Sequence, residues 1–285
     1  MLHGPGEPRR QRPEALSVTL PSGEVPAIAL RGLTKRFPAR TGDGRRSHEV
    51  VAVDHITFDI PRGDLLGLLG PNGAGKTTTL LMLSTLLVPT EGTAVVEGFD
   101  VQGAPQEVRR RIGVLLAGDR AVYARLTGRE NLLYFAALYD VPREQAVART
   151  AELLDLAGLA ERADDLVFRY STGMRMRLAL ARTLLHDPSV LLLDEPTLGL
   201  DPHGARLVRE LIASLNREGK TVVLATHNMT EAERLSRRVA IIDRGRIIAV
   251  DEPERLKAAV TEVNDREVTL EDVFMTLTRR RLQTG

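Results

Sequence analysis

The segment Gly70-Pro71-Asn72-Gly73-Ala74-Gly75-Lys76-Thr77 constrains this chain more than any other. It fits G-x-x-x-x-G-K-[ST], the pattern of a loop that turns its backbone N–H groups around a chain of phosphates. The apolar run Leu65–Leu69 before it reads as a buried strand, and 77–87 after it reads as a helix. Glycines let the backbone approach phosphate oxygens, and the helix N-terminus adds partial positive charge. Lys76 is suited to neutralise β and γ oxygens, and the Thr77 hydroxyl to ligate Mg²⁺. Residues Gly70 to Thr78, with Thr78 in the first helical turn, are therefore assigned to nucleotide binding. The plainer reading is a Gly-rich turn, but the strand and helix flanks make that coincidence rare.

A second apolar run, Val190-Leu191-Leu192-Leu193, ends in Asp194-Glu195. Buried parallel strands end at the ligand crevice of an α/β sheet. Asp194 is placed to hold Mg²⁺, and Glu195 to polarise an attacking water. Taken alone, the same residues also describe a strand entering a capped turn, Asp-Glu-Pro.

Composition excludes several other chemistries. There are 39 Lys plus Arg against 38 Asp plus Glu, a net charge of +1, so no large field draws the chain to nucleic acid. Nucleic acid is not an expected partner. Cysteine is absent, which removes disulfides, thiolate metal sites and Cys nucleophiles. No apolar run approaches the roughly 20 residues of a membrane span. The N-terminus, with Arg9, Arg10 and Arg12 among prolines and glycines, lacks the apolar core of a signal peptide. Together these predict a soluble intracellular chain with a loose tail.

The expected organisation has three parts. Residues 1–25 are Pro-, Gly- and Arg-rich without period, and read as disordered. Residues 26–250 alternate short β-type runs with helical patterns, which predicts a parallel or mixed sheet. Strands are expected at 28–33, 56–60, 65–69, 94–96, 112–116, 190–193, 222–225, 239–242 and 247–250, with a hairpin loop or insertion over 38–48. Helical periodicity without strands over 127–139, 143–157 and 172–185 predicts a helical subdomain, about 120–187, inserted in the α/β core. Residues 251–285 read as helix, polar link and helix.

At this point the chain resembles the ATPase subunit of an ABC transporter, over about residues 27–250. Tyr170-Ser171-Thr172-Gly173-Met174 is similar to the family signature L-S-G-G-Q, Leu198-Gly199-Leu200-Asp201 to its D-loop, and Ala225-Thr226-His227 to its switch histidine. Phe37 resembles the aromatic that stacks on adenine. The resemblance implies a P-loop NTPase core with an antiparallel β subdomain and an inserted helical subdomain. It implies ATP and Mg²⁺ as ligands, with Ser171 and Gly173 serving the γ-phosphate of a facing subunit. Glu195 and His227 become the catalytic pair, Thr77 and Asp194 the metal pair, and Phe37 and Asp201 further nucleotide contacts. Read singly, Ser171 and Asp201 are also helix N-caps, His227 a surface histidine, and Phe37 a core residue.

Two departures stand out. Thr172 and Met174 replace the usual Gly and Gln of the signature. The Gln that the family carries after strand 112–116 is absent from Ala117-Gly118-Asp119-Arg120, where Asp119 is one substitute. The signature and the tail Leu270-Glu271-Asp272-Val273-Phe274 are similar to the type-2 exporter branch, which includes drug-efflux, polysaccharide-export and lipo-oligosaccharide-export ATPases. That resemblance implies a head-to-tail homodimer closing on two ATPs, and a separate integral-membrane permease docked near residues 117–139. It places the subunit on the cytoplasmic side of the membrane. The alternative is a soluble ABC-type ATPase outside transport. A GTPase is disfavoured because no Asn-Lys-x-Asp motif is present.

Overall fold

The computed structural model describes residues 25–40, 47–117, 122–260 and 268–284. The proposed tail, the tip of the first hairpin, positions 118–121 and the link 261–267 lie outside them.

Two sheets enclose one helix. Strands β1 (Ile28–Arg40), β2 (Ser47–Ile60), β4 (Glu91–Val96) and β5 (Phe99–Asp100) form an antiparallel sheet in the order β2-β1-β4-β5. The second sheet runs β10-β9-β3-β8-β7-β6, from β3 (Leu65–Leu69), β6 (Ile112–Leu115), β7 (Val190–Asp194), β8 (Thr221–Thr226), β9 (Arg238–Asp243) and β10 (Arg246–Asp251). All its pairings are parallel except β10 on β9. Strands β3, β7 and β8 are buried at every residue, which is why they read as continuous apolar runs.

Side-chain alternation sends these strands to different layers. Leu66, Leu68, Val190, Leu192, Val223 and Ala225 pack with Leu80 and Leu83 of helix α1 (Lys76–Leu83) beneath the antiparallel sheet. Leu65, Leu191, Leu193, Val222 and Leu224 face the other way. There they meet the helical insert, α3 (Gly128–Leu138), α4 (Arg143–Leu156) and α5 (Thr172–Thr183), together with α6 (Pro202–Arg217). The short α2 (Pro105–Arg109) leads into β6. Helices α7 (Met229–Leu235), α8 (Pro253–Ala258) and α9 (Leu270–Thr284) share a third cluster, in which Leu270 and Val273 bury against Leu69, Val239 and Ile241.

The insert is closed by local chemistry. Thr127 and Glu130 form a reciprocal capping box at α3. Buried Asn131 accepts from the Tyr123 N–H at 2.6 Å and donates to the carbonyls of Tyr123 and Thr127, which fixes the loop ahead of α3.

Three boundaries differ from the sequence reading. Strand β1 runs through Arg40 and β2 begins at Ser47, so both flanks of the expected hairpin loop over 38–48 are strand, while 41–46 lie outside the described residues. Helix α1 stops at Leu83, where Ser84 caps it, rather than at 87. Strand β5 and helix α2 were not anticipated; two- and five-residue elements carry too few residues for a period to register.

Candidate functional site

The phosphate loop stands between β3 and α1. Gly75 is the N-cap of α1 at φ +108°, with no side-chain cap. A β-carbon there would lie 2.5 Å from the Ala52 carbonyl, so the loop closes on β2 only with glycine. The first amides of α1 are left free of any side-chain acceptor, as an incoming anion requires. The loop opens on a cleft of about 360 Å³ lined by Pro71, Asn72, Gly73, Gly75, Lys76, Thr77 and Thr78. Ala52, Ala117, Glu195, Leu198 and His227 complete its walls. Gly70 and Ala74 act from behind: the Gly70 carbonyl accepts from Lys76 Nζ at 2.7 Å, and Ala74 is buried.

Strand β7 brings the acidic pair to the same cleft. Asp194 is buried, and its Oδ2 accepts from Thr77 Oγ1 at 2.7 Å. Its Oδ1 is equally buried and without a hydrogen-bond partner among the described residues. Burial pushes the Asp194 carboxyl above the ordinary Asp value; the Thr77 hydroxyl opposes the shift and the Glu195 charge adds to it. An orphaned carboxylate oxygen beside a threonine hydroxyl is a set of hard oxygen donors, and it fits Mg²⁺.

Glu195 takes a left-handed backbone, φ +50°, at the end of β7, a costly conformation for a residue other than glycine. Its N–H donates to the Ala225 carbonyl at 2.8 Å, tying the turn to β8. Its Oε1 lies 2.8 Å from His227 Nδ1 and 3.5 Å from Lys76 Nζ, and Thr226 Oγ1 stands 3.5 Å from its Oε2. The carboxylate expected to handle water, the histidine and the loop lysine are thus in mutual reach.

The remaining candidates stand outside the cleft lining. Ser171 is exposed and caps α5, its Oγ accepting from Met174 N–H at 3.2 Å. Asp201 caps α6, its Oδ1 accepting from Gly204 N–H at 2.8 Å, and that bond holds its carboxyl below the ordinary value. A β-carbon on Gly173 would stand 3.4 Å from Gly204 Cα, so α5 and α6 pass almost backbone to backbone. Ser171, Gly173 and Asp201 therefore stand at the α5–α6 contact and none of them lines the cleft, whereas Leu198, three residues before Asp201, does. Phe37, 38% exposed, sits opposite Val50 on β2 with Lys35 Nζ 5.3 Å from its ring centre. The positions where the usual Gln is missing, 118–121, are outside the described residues; Ala117 lines the cleft.

Sequence reasoning missed Ala52 and the β9–β10 turn. Ala52 contributes backbone rather than a reactive group, so nothing in its type marks it. Thr197 was also missed: its hydroxyl donates at 2.6 Å to buried Glu231 of α7, linking the D-loop to the helix that follows His227.

Residues 53–198 match the family model described as "ABC transporter". The ABC transporter ATP-binding protein NatA of Bacillus subtilis is 43% identical over 199 residues, covering 70% of this chain and 81% of that protein. The daunorubicin/doxorubicin resistance ATP-binding protein DrrA of Streptomyces peucetius is 45% identical over 235 residues, covering 82% and 68% respectively. Among solved structures, a dimeric post-hydrolysis ATP-binding cassette bound to ADP and Pi superposes with a TM-score of 0.69 at 26% identity, covering 79% of this chain and 98% of that one.

Proposed function

This chain belongs to the ABC transporter family as an ATP-binding subunit with ATPase activity, and from that premise we propose that it drives an exporter. Two copies would close head to tail on two ATPs, and a separate permease would carry the substrate. One observation supports this reading above others. The phosphate loop, Asp194, Glu195 and His227 converge on one cleft, while Ser171, Gly173 and Asp201 stand outside it at the α5–α6 contact. A phosphate-binding half and a signature half that cannot meet within one chain are completed by a second copy. The related dimeric ATP-binding cassette supports the same arrangement.

The chemistry assigned to each residue follows from its place. Backbone N–H groups of 73–78 and Lys76 hold the β and γ oxygens, for which Lys76 gives up its bonds to Gly70 and Pro71. Thr77 and Asp194 would hold Mg²⁺, which neutralises charge developing between the β and γ phosphates. Glu195 accepts the proton of the attacking water through the carboxylate that His227 orients. His227 contacts the γ-phosphate, so loss of that phosphate releases the switch segment. Phe37 stacks on the adenine from β1.

Export, and a seat on the cytoplasmic side of the membrane, are inferred from relatives such as DrrA, a daunorubicin/doxorubicin resistance ATP-binding protein. Among the described residues no helix is long and apolar enough to cross a membrane; the path for the substrate is assigned to a permease on the likeness to these export ATP-binding proteins. The test is size-exclusion chromatography of Glu195→Gln with and without Mg-ATP. A dimer that forms only with Mg-ATP, and turnover at least about 100-fold below wild type, are expected for loss of a general base. A monomer under both conditions would remove the sandwich model.

A further inference from the structure

The turn between β9 and β10 lies behind the nucleotide cleft, where the phosphate loop meets β2. Arg244 and Gly245 have φ +47° and +79°, the two-residue turn that suits a tight hairpin. Gly245 is buried and uses both of its backbone groups on the site. Its N–H donates to the Ala74 carbonyl in the phosphate loop at 2.8 Å, and its carbonyl accepts from the Asp54 N–H of β2 at 2.8 Å. A β-carbon at Gly245 would stand 2.8 Å from the Ala52 carbonyl and 3.2 Å from Val53 Cα. The neighbouring Arg246 is ion-paired to Asp54 through its Nε. One residue thus spans from the loop that holds phosphates to the strand that carries Ala52 and pairs, through Val50, with Phe37.

We propose that Gly245 is a positioning residue that sets the distance between the phosphate loop and the base-binding sheet, and so determines how well the adenosine half of the nucleotide is held. The inference rests on the reading of Phe37 as the adenine platform. Forcing a side chain into this turn displaces β2 relative to Ala74, because backbone atoms on the β2 side have no rotamer to escape into. The phosphate loop keeps its own internal bonds, Lys76 to Gly70 and Pro71, and its contacts to β3 and α1. A ligand that is all phosphate should therefore not sense the change, whereas a ligand reaching from the loop to the sheet should.

The experiment measures binding of Mg-ATP and of Mg-tripolyphosphate to the full chain by calorimetry, for wild type, Gly245→Ala, Arg246→Ala and Phe37→Ala. Gly245→Ala is expected to weaken ATP about tenfold or more, a shift of ~1.4 kcal/mol, while tripolyphosphate stays within about twofold. Arg246→Ala, which removes only an exposed ion pair, is expected to show the same selectivity with a smaller loss, and it keeps the test open if Gly245→Ala does not fold. Equal weakening of both ligands in these variants overturns the proposal, because the turn then only supports the loop. Unchanged ATP affinity in both variants overturns it as well. Phe37→Ala separates the two layers of the argument: if it leaves ATP affinity intact, the platform assignment fails, whatever Gly245 does.

Discussion

Glu195 Oε1 lies 2.8 Å from His227 Nδ1 and faces the ammonium of Lys76 at 3.5 Å. Lys76 meanwhile donates to two carbonyls of its own loop. Glu195 therefore sits between Lys76 and His227, and in the proposed function a γ-phosphate enters by exchange: Lys76 trades carbonyls for phosphate oxygens, and His227 keeps one partner while gaining another.

Lys76→Ala removes the one lysine or arginine among the described residues that line this cleft. A charge-assisted contact to phosphate is roughly twice as strong as a neutral one, and nothing else in the loop replaces it. Mg-ATP affinity is expected to fall about 100-fold or more, with hydrolysis lost. Equilibrium binding of a fluorescent ATP analogue checks this, and near-normal affinity would falsify the loop assignment.

Asp194→Asn is expected to separate stability from function. Burial raises the Asp194 carboxyl above its unfolded value, so the folded chain holds that proton more tightly. Stability from this group is present below the unfolded value and lost as pH rises through the folded one. An asparagine stays neutral throughout. The variant should melt higher than wild type without nucleotide at about pH 8, by roughly 2–4 °C per kcal/mol for a chain of this size, and gain less near pH 4. It should also lose Mg²⁺-dependent hydrolysis. Thermal melts at both pH values decide it: a gain that grows toward acid reverses the sign of the argument.

Ser171→Arg tests the facing-subunit geometry. Ser171 is exposed at the N-cap of α5 and absent from the lining of its own cleft. The variant is expected to keep ATP affinity within about twofold in the isolated subunit while turnover drops at least about tenfold. The loss of the cap alone costs ~1 kcal/mol of helix stability. Affinity falling as far as in Lys76→Ala would place Ser171 in its own chain's site.

Tyr123→Asp is expected to weaken the complex with the permease. Tyr123 and Tyr134 are half-exposed, pack edge to face at 5.2 Å, and adjoin Phe135 in a small aromatic surface. Asn131 holds the backbone of Tyr123 on both sides, so the surface is preformed. The measurement is co-purification with candidate permeases, compared with wild type. Val122 and Leu126 belong to the same stretch; Arg125→Glu changes the charge of its rim. Undiminished recovery with both Tyr123→Asp and Arg125→Glu, in a folded subunit, moves the docking site elsewhere.

The parts of the site that were legible in the sequence are those whose chemistry sits in short contiguous stretches. Gly70 to Thr78 and Asp194-Glu195 declare themselves by residue type beside an apolar strand, His227 stands out only through its resemblance to a family motif, and the parallel sheet places these strand ends together. The bounds of β1 were not legible, because register shifts after Leu30, Leu33 and Lys35 break the two-residue period on which a strand is recognised. Ala52 and Gly245 were invisible for a different reason: both act through backbone groups brought together across more than a hundred residues of chain, and no local pattern encodes that contact.

The close passage of Gly173 and Gly204 gives the helical insert a fulcrum. With no side chains between the two backbones, the pivot lies at the Ser171 end of α5, while Leu178, Leu180 and Thr183 further along are buried, and a β-carbon on Gly113 of β6 would stand 2.6 Å from the Thr183 carbonyl. Helix α5 is 12 residues long, roughly 18 Å at the usual rise per residue. A tilt of α5 alone by about 10° would carry its Thr183 end through roughly 3 Å, and the close contact with β6 opposes it. Helix α5 is therefore a strut rather than a free lever: a push on either end turns the insert and the parallel sheet together about the glycine contact.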